Sequence, residues 1–202
     1  MDYKLTKEQE AFQKEFKAFC AAEIAPGAKA VDAAGEFPAE NWKKLAARGI
    51  QGLMIPKEFG GQGGCLMIGV TVIDALAMAC GSTAMAVGTS MFCSGKAIEM
   101  HATAAVKAKV LPALAKGEAV AAFAVTEPWA GSDMASITTT AQKKDGKFVI
   151  NGEKSYITNA PVADYFIIAA KSGESDGKAK FSVLLVPKGT PGRAAQVRQP
   201  QI

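Results

Sequence analysis

Histidine is almost absent from this 202-residue chain: His101 stands alone, and the four cysteines, Cys20, Cys65, Cys80 and Cys93, never form a CxxC pair. A Cys/His metal site and a disulfide scaffold are therefore both unsupported, and free thiols in a reducing compartment are the expectation. Charge of one sign is also scarce. Lys and Arg number 23 against 19 Asp and Glu, a net of +4 that no segment gathers into a basic stripe, so nucleic acid is not an expected partner. Long apolar runs are missing too: Gly69, Asp74, Gly81 and Gly88 interrupt the stretch from Cys65 to Cys93, which reads as buried helices and not as a membrane span. The opening MDYKLTKEQEAFQKEF alternates charge where a signal peptide needs an apolar core, and carries acidic residues where a transit peptide avoids them. It reads as mature, cytoplasmic protein from the start.

What the chain does have is a 49% hydrophobic and 21% charged composition, enough to build one or two cores. Apolar residues recur at helical spacing up to about Gly117, and β-branched runs with turn signals dominate from Val120, so a boundary is expected near Gly117–Glu118. The expected domains are 1–118, helical, and 119–202, β. Thr6 to Gln9 reads as a capping box, with Phe12, Phe16 and Phe19 on one helix face as far as Pro26–Gly27. A second helix is expected from Pro38 to Gly49, presenting Trp42, Leu45 and Ala46, and two more across Ile68 to Cys80 and Ala97 to Leu114. Between them, Gly52 to Gly64 is too glycine-rich for a regular element and suits a loop of close backbone approach.

In the second half, Ala121 to Thr126 reads as a buried strand closed by Pro128. Asp145–Gly146 signals a hairpin between Thr138–Gln142 and Phe148–Ile150, and Asn151–Gly152 a second tight turn. Further strands are expected at Ser155–Thr158, Tyr165–Ala170 and Phe181–Val186. The fold class is α+β: an α-helical N-terminal domain followed by an antiparallel β-barrel-like domain.

Thr126-Glu127-Pro128, followed after two residues by Gly131-Ser132-Asp133, resembles the signature of the acyl-CoA dehydrogenase family. In order along the chain, Pro56 to Gly63, Leu111-Pro112-Ala113-Leu114 with Gly117-Glu118, Asn151 to Ala160, and Leu185-Val186-Pro187-Lys188 with Thr190-Pro191-Gly192 extend the resemblance from about Leu5 to Gly192. It implies an FAD enzyme that removes a proton from Cα of an acyl-CoA thioester while a hydride passes from Cβ to flavin N5, the protein supplying position and electrostatics. Carried over by motif position, Phe123, Val125 and Thr126 place main-chain groups and one hydroxyl at the isoalloxazine edge. Gly131 and Ser132 approach the flavin and thioester, Ser132 being shared with the acyl-CoA. Thr158 donates near N5, with Ile157 beside it, and Tyr156, where many members have tryptophan, packs on the ring face.

Outside the motif, the same residues have plainer readings. Thr126 and Thr158 alone are ordinary strand threonines. Glu127 and Asp133 hold the turn by accepting main-chain N–H groups and are not counted as an acid/base pair. His101 is a surface residue near a helix start, and Lys143, Lys144 and Lys147 are the solvated faces of a hairpin. The bulky Trp129, in a slot often small in the family, either narrows the acyl entrance or lies on the surface. The resemblance also implies a C-terminal helical bundle carrying the catalytic glutamate, while Arg193 to Ile202 departs from the family pattern. No catalytic residue and no metal are therefore expected within these 202 residues. An apolar face left exposed should associate, as a homo-oligomer or with a partner. The implied electron acceptor is an electron-transferring flavoprotein. The alternative readings are a non-catalytic flavin or acyl-CoA binding module, an inactive truncated product, and, on the same fold, an acyl-CoA oxidase or a flavin monooxygenase.

Overall fold

A computed structural model describes residues 4–192, so the segment 193–202, where a departure from the family pattern is expected, lies outside the described residues. The chain divides between Ala119 and Val120 into a helical unit and a sheet unit.

The helical unit opens with α1 (Lys7–Phe19), whose N-terminus is closed by the reciprocal bonds of a capping box: the Gln9 N–H donates to Thr6 Oγ1 at 3.2 Å and the Thr6 N–H to Gln9 Oε1 at 3.0 Å. Phe12, Phe16 and Phe19 do share a face, with ring centroids 5.7 and 5.8 Å apart in succession, and Arg48 lies over Phe19 at 4.5 Å. The helix does not stop at Pro26–Gly27. It widens into a π turn (Cys20–Ile24), tightens into a 3₁₀ turn (Ala25–Gly27) and runs on as α2 (Ala28–Ala34). Pro26 is tolerated because it falls in the first turn of the new segment, where an N–H has no intrahelical acceptor.

The helix expected after Pro38 is α3 (Ala39–Ala47), and Gly49 follows it at φ 69°. Next come α4 (Leu66–Ala79) and α5 (Gly81–Gly88), the latter continuing as a π turn over Thr89–Gly95. Where one helix over Ala97–Leu114 was expected there are two, α6 (Lys96–His101) and α7 (Ala104–Ala115). The break is Thr103, whose hydroxyl caps α7 by accepting from the Val106 N–H; His101 is thus an exposed residue at a helix end rather than at a start. Trp42 anchors the unit, its indole N–H donating to the Gly117 carbonyl at 2.8 Å. Among the described residues no helix is long and apolar enough to cross a membrane.

Among the described residues the sheet unit has five strands: β1 (Ala121–Ala124), β2 (Thr140–Lys144), β3 (Lys147–Asn151), β4 (Tyr165–Ser175) and β5 (Lys178–Pro187). The expectation of an antiparallel, barrel-like domain is corrected here, because the sheet is mixed and not closed. β4 is its shared strand. β5 pairs antiparallel along its length, while on the other side β1 pairs parallel with residues 165–168 and β2 joins parallel at Thr140 and Lys171. The parallel pairs arise because a long excursion separates β1 from β4, and only crossovers of that kind return a strand in the same direction.

Asp145 and Gly146, at φ 50° and 75°, form the expected β2–β3 hairpin, and its lysines are exposed. Asp176 and Gly177, at φ 53° and 69°, do the same for β4 and β5, which therefore run longer than their apolar cores suggest. Two expectations fail. Ser155–Thr158 is not a strand, since Tyr156 takes φ 58°, and Asn151–Gly152 is the end of β3 and the residue after it rather than a tight turn. Gly152 is needed there because a Cβ would come within 2.4 Å of Thr139 Oγ1.

The glycine-rich loop between α3 and α4 does bring backbones together. A Cβ on Gly61 would stand 2.0 Å from the Ile55 carbonyl oxygen, whereas Gly60, at φ 80°, has open space around it. Gly61→Ala should therefore cost about 3 kcal/mol, the upper end of the usual range, against about 1 kcal/mol for Gly60→Ala, which meets only the left-handed penalty. Urea denaturation of the two variants, compared with the parent chain, reads the difference; equal losses would contradict it.

Candidate functional site

The site is built around a tight turn at the end of β1. Glu127 and Ala130 bond each other through both main-chain groups, at 2.9 and 3.2 Å, so Pro128 and Trp129 form the tip. The Glu127 side chain points inward and is fully buried. A carboxylate out of water must be paired and hydrogen-bonded to remain charged. Here five donors reach it: the Thr138 N–H (2.6 Å) and hydroxyl (2.9 Å) on Oε2, and the Thr139 N–H (2.9 Å), Thr139 hydroxyl (2.5 Å) and Lys154 ammonium (2.9 Å) on Oε1. Burial alone pushes this carboxyl up, but the hydroxyl, ammonium and main-chain donors outweigh it and hold it well below the usual carboxylate range. Glu127 is thus a turn-holding residue that accepts main-chain N–H groups, as its motif position led us to expect. Asp133 acts likewise, accepting from the Ala135 N–H at 3.1 Å and from the Ser136 hydroxyl.

Lys154 and Ser155 bring a second segment to this turn. The Lys154 ammonium also donates to the Val125 carbonyl at 2.8 Å, and the Ser155 N–H to the Thr126 carbonyl at 2.9 Å. Tyr156 follows in the left-handed region and is 92% exposed. From Ile157 the chain turns again, held by the Asn159 amide donating to the Ala121 carbonyl at 3.2 Å, and reaches β4. The side chains of Val125 and Ile157 pack into the interior, Val125 against Ala130, Ile137 and Ala169, and Ile157 with Ala122, Ala163, Phe166 and Val186. Thr126 and Thr158 are half-buried, as is Phe123 in β1.

Gly131 and Ser132 lie on the exposed return from the turn, before the short 3₁₀ segment Met134–Ser136 that Asp133 caps. Nothing lies within 4 Å of where a Cβ on Gly131 would stand. Trp129 is 60% exposed, and its indole N–H donates to Thr138 Oγ1 at 3.2 Å, extending the Glu127 network to the surface. Main-chain bonds thus join Thr126 to the 155–158 segment and hold the Glu127–Ala130 turn on which Gly131 and Ser132 follow; Phe123 is set apart in the strand. Sequence reasoning missed Lys154, Thr138, Thr139 and Asn159. The first is separated from Glu127 by 27 residues, and no local pattern announces such a partner.

Other chemistry finds little support. Among the described residues no group of three or more His, Cys, Asp or Glu could hold a metal ion. All four cysteines are free, and burial pushes the Cys20 thiol up to about 11 against the pull of Arg48, which keeps it un-ionised and unreactive near neutrality.

Because the folded Glu127 carboxyl ionises below its ordinary value of about 4.3, its stabilisation is complete above that pH and is lost as pH falls towards the folded value. Glu127→Gln, which removes the counter-charge of the buried Lys154 ammonium, should cost about 3 kcal/mol at pH 7. That deficit should shrink steadily below about pH 4.3, the unfolded carboxyl's value. Urea titrations of both proteins at a series of pH values measure it, and a gap independent of pH would refute the assignment.

Residues 6–118 match the acyl-CoA dehydrogenase N-terminal domain and residues 122–201 its middle domain. The chain is 39% identical over 193 residues to a probable acyl-CoA dehydrogenase of Bacillus subtilis, YngJ, covering 95% of this chain and 51% of that protein. Among solved structures, one titled as the electron transferring flavoprotein of Acidaminococcus fermentans superposes with a TM-score of 0.89 at 29% identity, covering 98% of this chain and 53% of the other. The FAD complex of PigA superposes at 0.86 with 31% identity, covering 95% and 51%. The chain therefore spans about half the length of the curated relatives it matches. With both domain matches falling on the two units of the fold, the chain belongs to the acyl-CoA dehydrogenase family.

Proposed function

We propose that the sheet unit binds FAD and an acyl-CoA thioester, and that the chain serves the α,β-dehydrogenation of that thioester. The observation that carries this reading is the Ser155 N–H to Thr126 carbonyl bond of 2.9 Å, which brings two separate motif segments together at one edge. The residues present fit a flat, charge-accepting ring system. Tyr156 stands free of its own chain in a conformation that only outside restraint maintains, Gly131 leaves open space, and Thr126 and Thr158 offer half-buried hydroxyls.

When bound, FAD supplies the hydride acceptor for the hydrogen leaving the substrate Cβ. The chain's own part is binding and orientation. Thr126, with the main chain of Phe123 and Val125, donates to and accepts from one flavin edge, while Thr158, with the main chain of Ile157, donates to the other. Tyr156 covers a ring face. Ser132, able to donate and accept, contacts both flavin and thioester, with Gly131 allowing their close approach. Glu127 is the buried carboxylate among the described residues, and with five donors on it and a lowered proton affinity it is not a base for the α-proton. That same engagement favours a second reading, a flavin and acyl-CoA binding module without turnover.

The reading extends to partners and setting. We place the electron acceptor as an electron-transferring flavoprotein. Self-association is assigned to the exposed apolar side chains of α4, Leu66, Val70 and Met78. A cytoplasmic, reducing location suits four free cysteines.

The test is the visible spectrum of the purified chain after incubation with FAD and removal of the excess. Retained, shifted flavin bands are expected. Tyr156→Ala and Thr126→Val should each weaken binding about 3- to 10-fold, the worth of one ring contact or one hydrogen bond. A chain folded by circular dichroism that retains no flavin overturns the reading. Anaerobic addition of acyl-CoA to the loaded chain then separates the two alternatives: bleaching means turnover, and unchanged bands mean a binding module.

A further inference from the structure

We propose that Lys154 is a positioning residue for the flavin-binding edge, its ammonium locking the turn at 125–127 to the 155–158 segment by binding the Val125 carbonyl and the Glu127 carboxylate at once. The inference rests on the flavin reading above and goes further by naming what holds the two halves of that edge in register.

No strand pairing joins these segments, since β1 ends at Ala124 and β3 at Asn151. Their contact consists of adjacent residues meeting adjacent residues, Lys154 on Val125 at 2.8 Å and Ser155 on Thr126 at 2.9 Å. A slip of one residue would exchange those partners and break the bond between Thr126 and Ser155. The side chain of Lys154 is only 10% exposed, and a cation so far out of water must find acceptors with defined positions. Glu127 is one such acceptor, and the Thr138 and Thr139 main chain fixes it at the start of β2. The ammonium therefore refers the 155–158 segment to the sheet itself. The chain then enters the left-handed region at Tyr156, a conformation that persists where its surroundings over-determine it.

A buried ion pair could instead serve stability alone, and the experiment separates the two roles. Amide hydrogen exchange by NMR on the ligand-free chain compares the Ser155 N–H with the β4–β5 ladder amides, in the parent, in Lys154→Met and in Val186→Ala, a core change that lowers stability without removing the cation. In Lys154→Met the Ser155 protection should fall at least about tenfold more than that of the ladder, and the FAD dissociation constant should rise by about tenfold or more, the worth of a hydrogen bond to a charged group. Val186→Ala should lower protection throughout and leave FAD affinity near the parent value. If Lys154→Met does not fold, Lys154→Gln, which keeps a donor but not the charge, makes the same comparison. Equal loss of protection at Ser155 and in the ladder, or unchanged FAD affinity, would overturn the proposal. If the parent itself binds no FAD, the flavin reading fails, while the Ser155 exchange result still decides what Lys154 holds.

Discussion

A carboxylate with no exposed surface is tolerable only when its whole acceptor capacity is used, and the sheet unit is arranged around that condition at Glu127. Its donors come from two places distant in sequence, the Thr138–Thr139 entry to β2 and the Lys154 side chain after β3. Satisfying them closes the turn after β1, fixes where the β2–β3 hairpin begins and draws the 155–158 segment against Thr126. A polar core residue thus does here what packing alone would do poorly, because donors and acceptors fix distances and directions where apolar contacts fix only proximity.

The sheet supports this arrangement through its shared strand. β4 takes β5 along one side and divides the other between β1 and β2, so the carboxyl end of β1 and the start of β2 lie beside the same strand. Apart from Phe123 in β1, the candidate ligand-binding residues sit on connections between strands, whose main-chain groups are not committed to the ladder. Small side chains make the close spacing possible: Ala121, Ala122, Ala124, Ala130 and Ala163 are all buried. In the helical unit the equivalent constraint is backbone approach, with Gly61 against Ile55 and the Trp42 indole on the Gly117 carbonyl.

How much of this was legible follows from the range of each interaction. Thr6 with Gln9, the phenylalanine face of α1, Gly49 after α3 and the Asp145–Gly146 turn involve residues within a few positions, so their signals are local and the structure matches them. The Asp176–Gly177 turn carries the same dipeptide, here flanked by polar residues on both sides. Thr103 was missed as a cap because the apolar spacing runs through it from α6 to α7. The motif segments Thr126 to Asp133 and Asn151 to Ala160 do meet, and Glu127 accepts main-chain N–H groups as expected. That the donors to Glu127 are Thr138, Thr139 and Lys154 was not expected.

Spacing and motif within short windows of the chain carry the division into a helical half and a sheet half, the capping box of α1, the β2–β3 hairpin and the family. The mixed, open sheet, the turn in place of a strand at Ser155–Thr158 and the bridge from Lys154 to Val125 and Glu127 emerge from the folded chain. Those outcomes depend on which distant groups meet, and a buried charge chooses its partner by three-dimensional proximity once the strands are in place.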